Sequence, residues 1–155
     1  MSQLIWAIVH LLTGKRRLTL RPHRLRIDSL GGGEYGARRG SRVHRGFDVE
    51  IRPGEVVRAP YTMRIGKDPI RVYADENKKE WQGVRGFFKI GQDNVEVKYF
   101  YITPFTEVLD TVVSMGTPIG IAQDISEEYG EAMVPHVHIE HWIGNSHYDA
   151  TKNYI

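Results

Sequence analysis

Two short motifs, far apart in the sequence, contain the residue types that hold a catalytic metal ion. The first is HRGFD at residues 44–48, and the second is PHVHIE at residues 135–140. The first motif offers His44 and Asp48, and the second offers His136 and His138. Three of these side chains would serve as ligands, and the fourth would stand beside the metal. This set is typical of a catalytic zinc centre, which keeps one coordination position open.

The second motif suits a β-strand. Residues two apart on a strand point to the same face, so the imidazoles of His136 and His138 would lie side by side, with backbones about 6.5 Å apart. One could bind the metal while the other reaches a water molecule. Val137 and Ile139 would then face the core. Glu140 continues the polar face and could orient a ligand imidazole through its second N–H group.

The first motif requires a bend in the chain. On a straight strand His44 and Asp48 would lie about 13 Å apart, too far to share a zinc ion with bonds of about 2 Å. Gly46 stands midway between them and can adopt the backbone angles of a bend. A helix would also bring the pair together, but Gly46 and the β-branched Val49 and Ile51 disfavour a helix here.

The alternative is that the histidines are incidental. An isolated histidine is more often a surface or core residue than a ligand, and this interpretation is given to His10, His23 and His141. His147 follows a turn and is a second-rank candidate near the groove. Two histidines on one buried strand face need polar partners, so a metal site explains the motifs better than a metal-free β domain does.

The remaining sequence predicts a mostly β domain with little helix. Residues 18–28 alternate apolar and polar side chains, which indicates strands, with Pro22 confining the first to an edge or bend. Further short strand-like segments, separated by Gly, Pro, Asp and Asn, indicate an antiparallel arrangement. They cover residues 47–51, 56–59, 63–65, 70–73, 86–90, 95–102, 118–122 and 137–142. The polar loop at residues 123–134 is expected to frame a substrate groove.

Composition excludes several classes of protein and site. The chain has 155 residues, of which 41% are apolar and 26% are charged, as in an ordinary globular domain. A formal charge of +2 gives no argument for nucleic acid as a partner. The sequence has no cysteine, so a zinc site must use histidine and carboxylate. Basic clusters at residues 15–17 and 38–45 could hold an anionic polymer such as a cell wall, or could be a solvated edge.

The N-terminal segment, residues 1–17, is expected to be distinct from the β domain at residues 18–155. Its apolar run at residues 4–12 is too short to span a bilayer, which takes about 20 residues. It lacks the flanking features of a cleavable signal peptide, so synthesis in the cytoplasm is expected. The run is either a short helix or strand packed on the domain or a docking element for a larger protein assembly.

From about Asp28 to the C-terminus the chain resembles the lysostaphin-type (LytM-like) zinc metallopeptidases. The resemblance is carried by GGGEYGARRGSRVHRGFD, by PHVHIEHW, and by EVVRAPYTMRIG and VVSMGTPIGIA between them. Within that superfamily, DSLGGGEYGARRGSRVHRGFDV, VKYFYITPF and VPHVHIEHW are similar to leukocyte cell-derived chemotaxin 2, which keeps the zinc site and is not known as a peptidase. The resemblance implies a single antiparallel β domain of the duplicated-hybrid-motif type.

The resemblance also implies a role for each site residue. His44, Asp48 and His138 would bind Zn²⁺, and His136 would be the catalytic histidine. Active relatives carry a further histidine in a Y-x-H strand, and the matching segment here ends in Thr103. Loss of one proton-transferring group typically slows catalysis by about 100- to 10,000-fold. Tyr101 is a candidate for partial substitution.

Two functions follow from these implications. The first is a zinc metallopeptidase domain that hydrolyses peptide bonds of peptidoglycan, in a phage or virion-associated component. The second is a catalytically impaired zinc-binding module used for structure or recognition, because Thr103 stands where active relatives have histidine.

Overall fold

The structure of the protein is a computed structural model that describes residues 4–6, 8 and 13–155. Residue 7 and residues 9–12 of the apolar run, including His10, lie outside the described residues. Residues 4–6, 8 and 13 are helical. Trp6 is buried, with its ring against Gly116 and beneath the guanidinium of Arg58, whereas Leu4 and Ile8 are exposed. Docking of a larger assembly through this segment stays a prediction.

The rest of the chain forms short strands and very little helix, which confirms the predicted fold class. The helical pieces are Ser126–Tyr129 and Thr151–Tyr154, with 3₁₀ turns at Glu76–Lys78 and Thr106–Val108. No helix within the described ranges is long and apolar enough to cross a membrane. The strands are β1 (Ile27–Asp28), β2 (Gly31–Gly32), β3 (Arg38–Arg39), β4 (Arg42–Val43), β5 (Phe47–Glu50), β6 (Val56–Arg58), β7 (Met63–Ile65), β8 (Ile70–Arg71), β9 (Gln82–Ile90), β10 (Asp93–Phe100), β11 (Ile102–Pro104), β12 (Val112–Val113), β13 (Pro118–Ala122), β14 (His136–Ile143) and β15 (Ser146–Tyr148).

An eight-stranded antiparallel sheet is the main element. Its order is β12-β7-β9-β10-β14-β15, with β5 also beside β14 and β8 also beside β9. A second sheet has the order β11-β13-β6, and β1–β2 and β3–β4 form two small hairpins. Apolar side chains from both larger sheets form one core that extends from Leu18 to Tyr154 along the chain.

Alternation along the central strands separates the core from an open face. In β10, Val95, Val97 and Tyr99 are buried, and the side chains between them are less so. Phe100 of β10 pairs with His138 of β14, which in turn pairs with Asp48 of β5. The period of two in β14 therefore places His138 on the less buried face of the sheet.

Three predicted strands differ from the structure. Residues 18–24 form bends rather than a strand, and this part of the chain contributes only the single bridge between Leu25 and Val49. The predicted strand at 86–90 begins earlier, at Gln82, because residues 82–85 also pair with β8 and β10, and Gly83 permits the close approach to the Tyr99 backbone. The predicted strand at 95–102 is interrupted at Tyr101, whose φ of 67° separates β10 from β11.

Two of the histidines assigned to the core are buried there with hydrogen-bond partners. The ring nitrogens of His141 lie 3.0 Å from the Tyr148 hydroxyl and 2.9 Å from the Tyr154 hydroxyl. Nε2 of His23 accepts the backbone N–H of Leu18 at 2.7 Å. Burial lowers the pKa of His141 to about 4, and burial together with nearby arginines lowers that of His23 to about 4. Both histidines are therefore neutral in the folded protein at neutral pH.

This burial predicts a loss of stability in acid. An unfolded histidine takes up a proton near pH 6.5, whereas the folded His141 and His23 do so only near pH 4. The free energy of unfolding should therefore fall by about 3 kcal/mol for each histidine as the pH falls from 6.5 to 4. Urea unfolding at intervals across this range measures the slope. His141→Gln should make the slope markedly shallower, and an unchanged slope would contradict the assignment.

Candidate metal centre

Strand pairing joins the two sequence motifs. β5 and β14 run antiparallel with Asp48 opposite His138, and His44 lies in the connection that leads into β5. Gly46 is required there for close approach, not for unusual backbone angles, because it is absent from the residues with positive φ. A Cβ at Gly46 would run into the Ile139 carbonyl group and lie 2.9 Å from the His138 ring.

Three donor atoms converge at this point. Nε2 of His44 lies 2.9 Å from Nδ1 of His138 and 3.1 Å from Oδ1 of Asp48, and the last two atoms are 2.9 Å apart. Three atoms separated by about 3 Å leave a point about 2 Å from each, which is the length of Zn–N and Zn–O bonds. The donor set of two imidazoles and one carboxylate is also one that zinc accepts. The residues therefore fit a zinc ion.

Both imidazoles are oriented by a second hydrogen bond. Nδ1 of His44 donates to the Glu34 carbonyl oxygen at 2.8 Å, which leaves Nε2 for the metal. Nε2 of His138 lies 3.0 Å from Oε1 of Glu140, whose other oxygen accepts the Trp142 indole N–H at 2.8 Å. Such partners fix the ring orientation of metal-binding histidines. The structure thus places Glu140 where it holds Nδ1 of His138 towards the other two donors.

Charge at the cluster is balanced by hydrogen bonds. Burial opposes ionisation of Asp48, but hydrogen bonds from His138 and His44 hold the pKa of its carboxyl well below the usual value. Burial likewise disfavours the charged form of His138, yet its bonds to Asp48 and Glu140 raise the pKa of the imidazole to about 9. A metal ion at Nδ1 would take the place of that proton.

The second oxygen of Asp48 is held by two arginines. Oδ2 accepts Nε of Arg26 at 3.0 Å and Nη2 of Arg39 at 3.2 Å. Nη1 of Arg26 also donates to Asp28 at 2.6 Å, and the Arg26, Asp28 and Asp48 side chains are each less than 5% exposed. This buried network leaves Oδ1 as the carboxylate atom that faces the two histidines.

The network predicts a large loss of stability when its cation is removed. Arg26→Met should lower the free energy of unfolding by about 3–5 kcal/mol, because two buried carboxylates lose their shared partner. Arg64→Met is the matched control, since Arg64 pairs with Asp110 at the surface, and it should change stability by less than about 0.5 kcal/mol. Urea unfolding at pH 7 measures both. Equal losses in the two variants would show that the buried pairing is unimportant.

His136 lies beside the cluster and is a proton acceptor. It is buried, its Nδ1 donates to the Val134 carbonyl oxygen at 2.8 Å, and its Nε2 is 3.8 Å from Oδ2 of Asp48. Burial lowers the pKa of His136, and the nearby Asp48 carboxylate offsets only part of that effect. The imidazole is therefore neutral near pH 7, with Nε2 free of a proton.

The cluster lies in a groove of about 1010 Å³. One part of the lining comes from β3, β4 and the residues after them, and it is rich in arginine. Another part is aromatic, and there the Tyr73 and Tyr129 hydroxyls are 2.7 Å apart. The lining includes Arg26, Arg39, Arg42, Arg45, Tyr73, Phe100, Tyr101, Tyr129, Met133, His136, His138 and Glu140.

Tyr101, and not Thr103, is the residue next to His136. The Tyr101 ring lines the groove and meets the His136 ring edge-on, with centroids 5.3 Å apart. Thr103 does not line the groove, and its hydroxyl accepts a hydrogen bond from Gln123 at 3.1 Å. The match of Thr103 to the catalytic histidine of active relatives stays a prediction from the resemblance, while the structure brings Tyr101 to His136. The positive φ of Tyr101 separates β10 from β11, so Thr103 belongs to the β11-β13-β6 sheet.

His147 also lies outside the groove lining. It is on β15, its Nδ1 is 2.6 Å from the Tyr35 hydroxyl, and its ring packs against Trp142. Sequence reasoning missed Arg26, Tyr73 and Tyr129 as groove residues, whereas Arg39 belongs to the basic cluster at residues 38–45. Alternation in the sequence would place Arg26 on the exposed side, opposite to apolar Leu25 and Ile27, whereas the structure buries it. Tyr73 and Tyr129 come from distant segments of the chain, and no local sequence pattern predicts that they meet in the groove.

Comparison with known proteins supports this description. No family model matches the chain. Leukocyte cell-derived chemotaxin-2 from Bos taurus is 28% identical over 136 residues, which cover 87% of this chain and 80% of the relative. The Mus musculus protein of the same name is 31% identical over 114 residues, or 73% of this chain and 69% of the relative.

Solved structures show the same fold at lower sequence identity. The catalytic domain of the antimicrobial peptidase lysostaphin from Staphylococcus simulans superimposes with a TM-score of 0.56 and 16% identity, over 81% of this chain and 90% of that one. A mutant catalytic domain of the prophage-encoded M23 protein EnpA from Enterococcus faecalis gives 0.50 and 18%, over 81% and 92%. The chain therefore belongs to the family of leukocyte cell-derived chemotaxin-2, and its fold is that of the lysostaphin-type (M23) peptidases.

Proposed function

We propose that the protein is a zinc metallopeptidase that hydrolyses peptide bonds of peptidoglycan. One observation carries the proposal: the donor atoms of His44, Asp48 and His138 lie 2.9–3.1 Å apart in an open groove, with a neutral histidine beside them. A purely structural metal site would be closed by a fourth protein ligand, whereas this one offers three. The open side faces a groove large enough for a peptide.

His44, Asp48 and His138 would hold the zinc ion. When bound, zinc supplies Lewis-acid chemistry, polarising a peptide carbonyl group and making water more acidic. The hydrogen bonds of Arg26 and Arg39 to Oδ2 of Asp48 leave Oδ1 as the oxygen that faces the two histidines.

His136 is the general base. Its Nε2 carries no proton at neutral pH, so it can take a proton from the attacking water and pass it to the leaving amine. The Val134 carbonyl oxygen fixes the ring through Nδ1–H, so the accepting atom points into the groove.

Tyr101 stabilises the oxyanion that develops on the substrate carbonyl. Burial raises the pKa of its phenol to about 12, so the group keeps its proton and can donate a hydrogen bond. Its positive φ is a strained conformation for a non-glycine residue, and such strain is commonly found at functional sites.

The names of the fold relatives support the choice of substrate and setting. Lysostaphin is described as an antimicrobial peptidase and EnpA as prophage-encoded. From these names we infer that the target is a bacterial cell wall and that the protein belongs to a phage or virion. Residues 1–17 would then dock it to the larger assembly.

Hydrolysis of purified peptidoglycan tests the proposal. Zinc-loaded protein should release new amino groups, a chelator should stop the release, and added zinc should restore it. Lysostaphin on a susceptible wall is the positive control. Absence of new amino groups, where the control succeeds, would contradict a peptidase.

A second candidate is a zinc-binding recognition module without hydrolysis. It is favoured by the tyrosine beside His136, where a second imidazole would be the stronger proton-transfer group, and by the family membership. This candidate predicts full zinc occupancy together with no release of amino groups.

A further inference from the structure

The charges around the groove are unbalanced. Four arginines line it, and the only carboxylates in the lining are Asp48 and Glu140. Asp48 is already bonded to Arg26 and Arg39, and Glu140 to His138 and Trp142. Both carboxylates are therefore satisfied by residues of the protein itself.

Arg42 and Arg45 are the cations left over. Both are exposed and line the groove, and neither has an ion pair or side-chain hydrogen bond within the ranges that the structure describes. Arg45 directly follows the proposed zinc ligand His44. Two guanidinium groups therefore line the groove without an anionic partner among the described residues.

The hairpin of β3 and β4, which carries Arg42, places like charges opposite each other. Arg42 stands directly opposite Arg39 in the pairing of β3 with β4. Like charges directly opposite on adjacent strands are destabilising. The hydrogen bond of Arg39 to Asp48 balances the charge of Arg39. An anion near Arg42 would balance the second charge in the same way.

The aromatic part of the groove does not compensate this charge. Burial raises the pKa of Tyr73 and of Tyr101, so both phenols stay neutral and act as hydrogen-bond donors. A neutral, glycine-like chain would therefore leave the two arginines without a partner.

We propose that the groove recognises peptides with a free carboxylate, which pairs with Arg42 and Arg45. The proposal rests on the peptidase function and names its substrate class: an acidic peptide rather than a neutral one. A guanidinium group presents paired N–H donors that match the two oxygens of a carboxylate. Two free arginines suit one such group, whereas a phosphate polymer would call for a longer row of cations.

Binding of two synthetic peptides that differ by one charge tests this. The probes are acetyl-Gly-Ala-Glu-Ala-Gly-amide and the same peptide with glutamine. Calorimetry uses the full chain freed of metal, so that the peptide carboxylate cannot bind zinc. The glutamate peptide should bind about tenfold more tightly than the glutamine peptide, as expected for charge-assisted hydrogen bonds. The double variant Arg42→Gln/Arg45→Gln should reduce this ratio to near one.

A matched charge control separates a specific site from general electrostatics. Arg64→Gln/Arg71→Gln removes the same charge from surface arginines that pair with Asp110 and Glu76, and it should keep the ratio. Equal affinity of the wild-type chain for both peptides would overturn the proposal. So would an equal loss in the control variant, or tighter binding of polyglycerol phosphate than of the glutamate peptide.

Failure here is distinct from failure of the peptidase function. Hydrolysis of peptidoglycan without discrimination between the peptides would refute only the carboxylate site. Discrimination without hydrolysis would support the carboxylate site and refute the peptidase.

Discussion

His138→Ala is expected to remove stoichiometric zinc from the protein. Its Nδ1 is one of only three donor atoms in the cluster, 2.9 Å from each of the other two. Loss of a residue that merely orients a ligand already weakens metal affinity by about 10- to 100-fold, so loss of a ligand should exceed that range. The variant also leaves Glu140 without the imidazole that it now contacts.

Elemental analysis after dialysis against a weak chelator measures the effect. Wild-type protein should retain about one zinc ion per chain, a stoichiometry that follows from a single cluster of three ligands in the described residues. His147→Ala is the matched control, because this histidine contacts Tyr35 and Trp142 outside the groove lining. Full zinc occupancy in His138→Ala would show that the assigned ligands are wrong.

Tyr101→Phe is expected to slow hydrolysis by about 100- to 1000-fold without loss of zinc. The change removes only the hydroxyl group and keeps the ring that meets His136 at 5.3 Å. Because the phenol would act on charge that develops during the reaction, kcat should fall while KM changes little. Steady-state hydrolysis of a soluble peptidoglycan fragment gives both constants.

Thr103→Ala provides the comparison for Tyr101. Its hydroxyl contacts Gln123 and lies outside the groove lining, so activity should stay within about twofold of wild type. The reverse outcome, with a large loss for Thr103→Ala and none for Tyr101→Phe, would favour the match of Thr103 to the catalytic histidine of active relatives.

The cluster of His44, Asp48 and His138 could be predicted because each half of it is local. An H-x-H pair on a strand and an H-x-x-x-D pair across a bend leave signatures within a few residues. Gly46 was recognised as necessary, but for the wrong reason: the structure shows a close approach to Ile139 rather than a special backbone angle.

Tyr101 shows where such reasoning stops. Alternation of apolar and polar residues predicts which face a side chain occupies only while the backbone stays extended. A residue with positive φ ends the regular strand, so the faces of the residues after it no longer follow from counting. A tyrosine gives no warning of a positive φ, since most residues found there are glycine, asparagine or aspartate. The sequence therefore could not show that β10 ends before Tyr101 or that Thr103 lies in a separate sheet.

Arg26 and the groove tyrosines could not be assigned for a different reason. Arg26 is paired with Asp48, and Tyr73 with Tyr129, across distant segments, so these partners come together only after the sheets have formed. No spacing within one segment encodes contacts of this kind. The mostly β fold, by contrast, rests on many short segments, and errors at residues 18–24 and 82–85 leave it unchanged.

Anomalous X-ray scattering at the zinc absorption edge, from crystals of zinc-loaded protein, tests the central claim most directly. We expect one strong peak about 2 Å from Nε2 of His44, Oδ1 of Asp48 and Nδ1 of His138. A peak elsewhere, or none at this position in crystals that contain zinc, would contradict the assignment of this groove as a zinc-dependent catalytic centre.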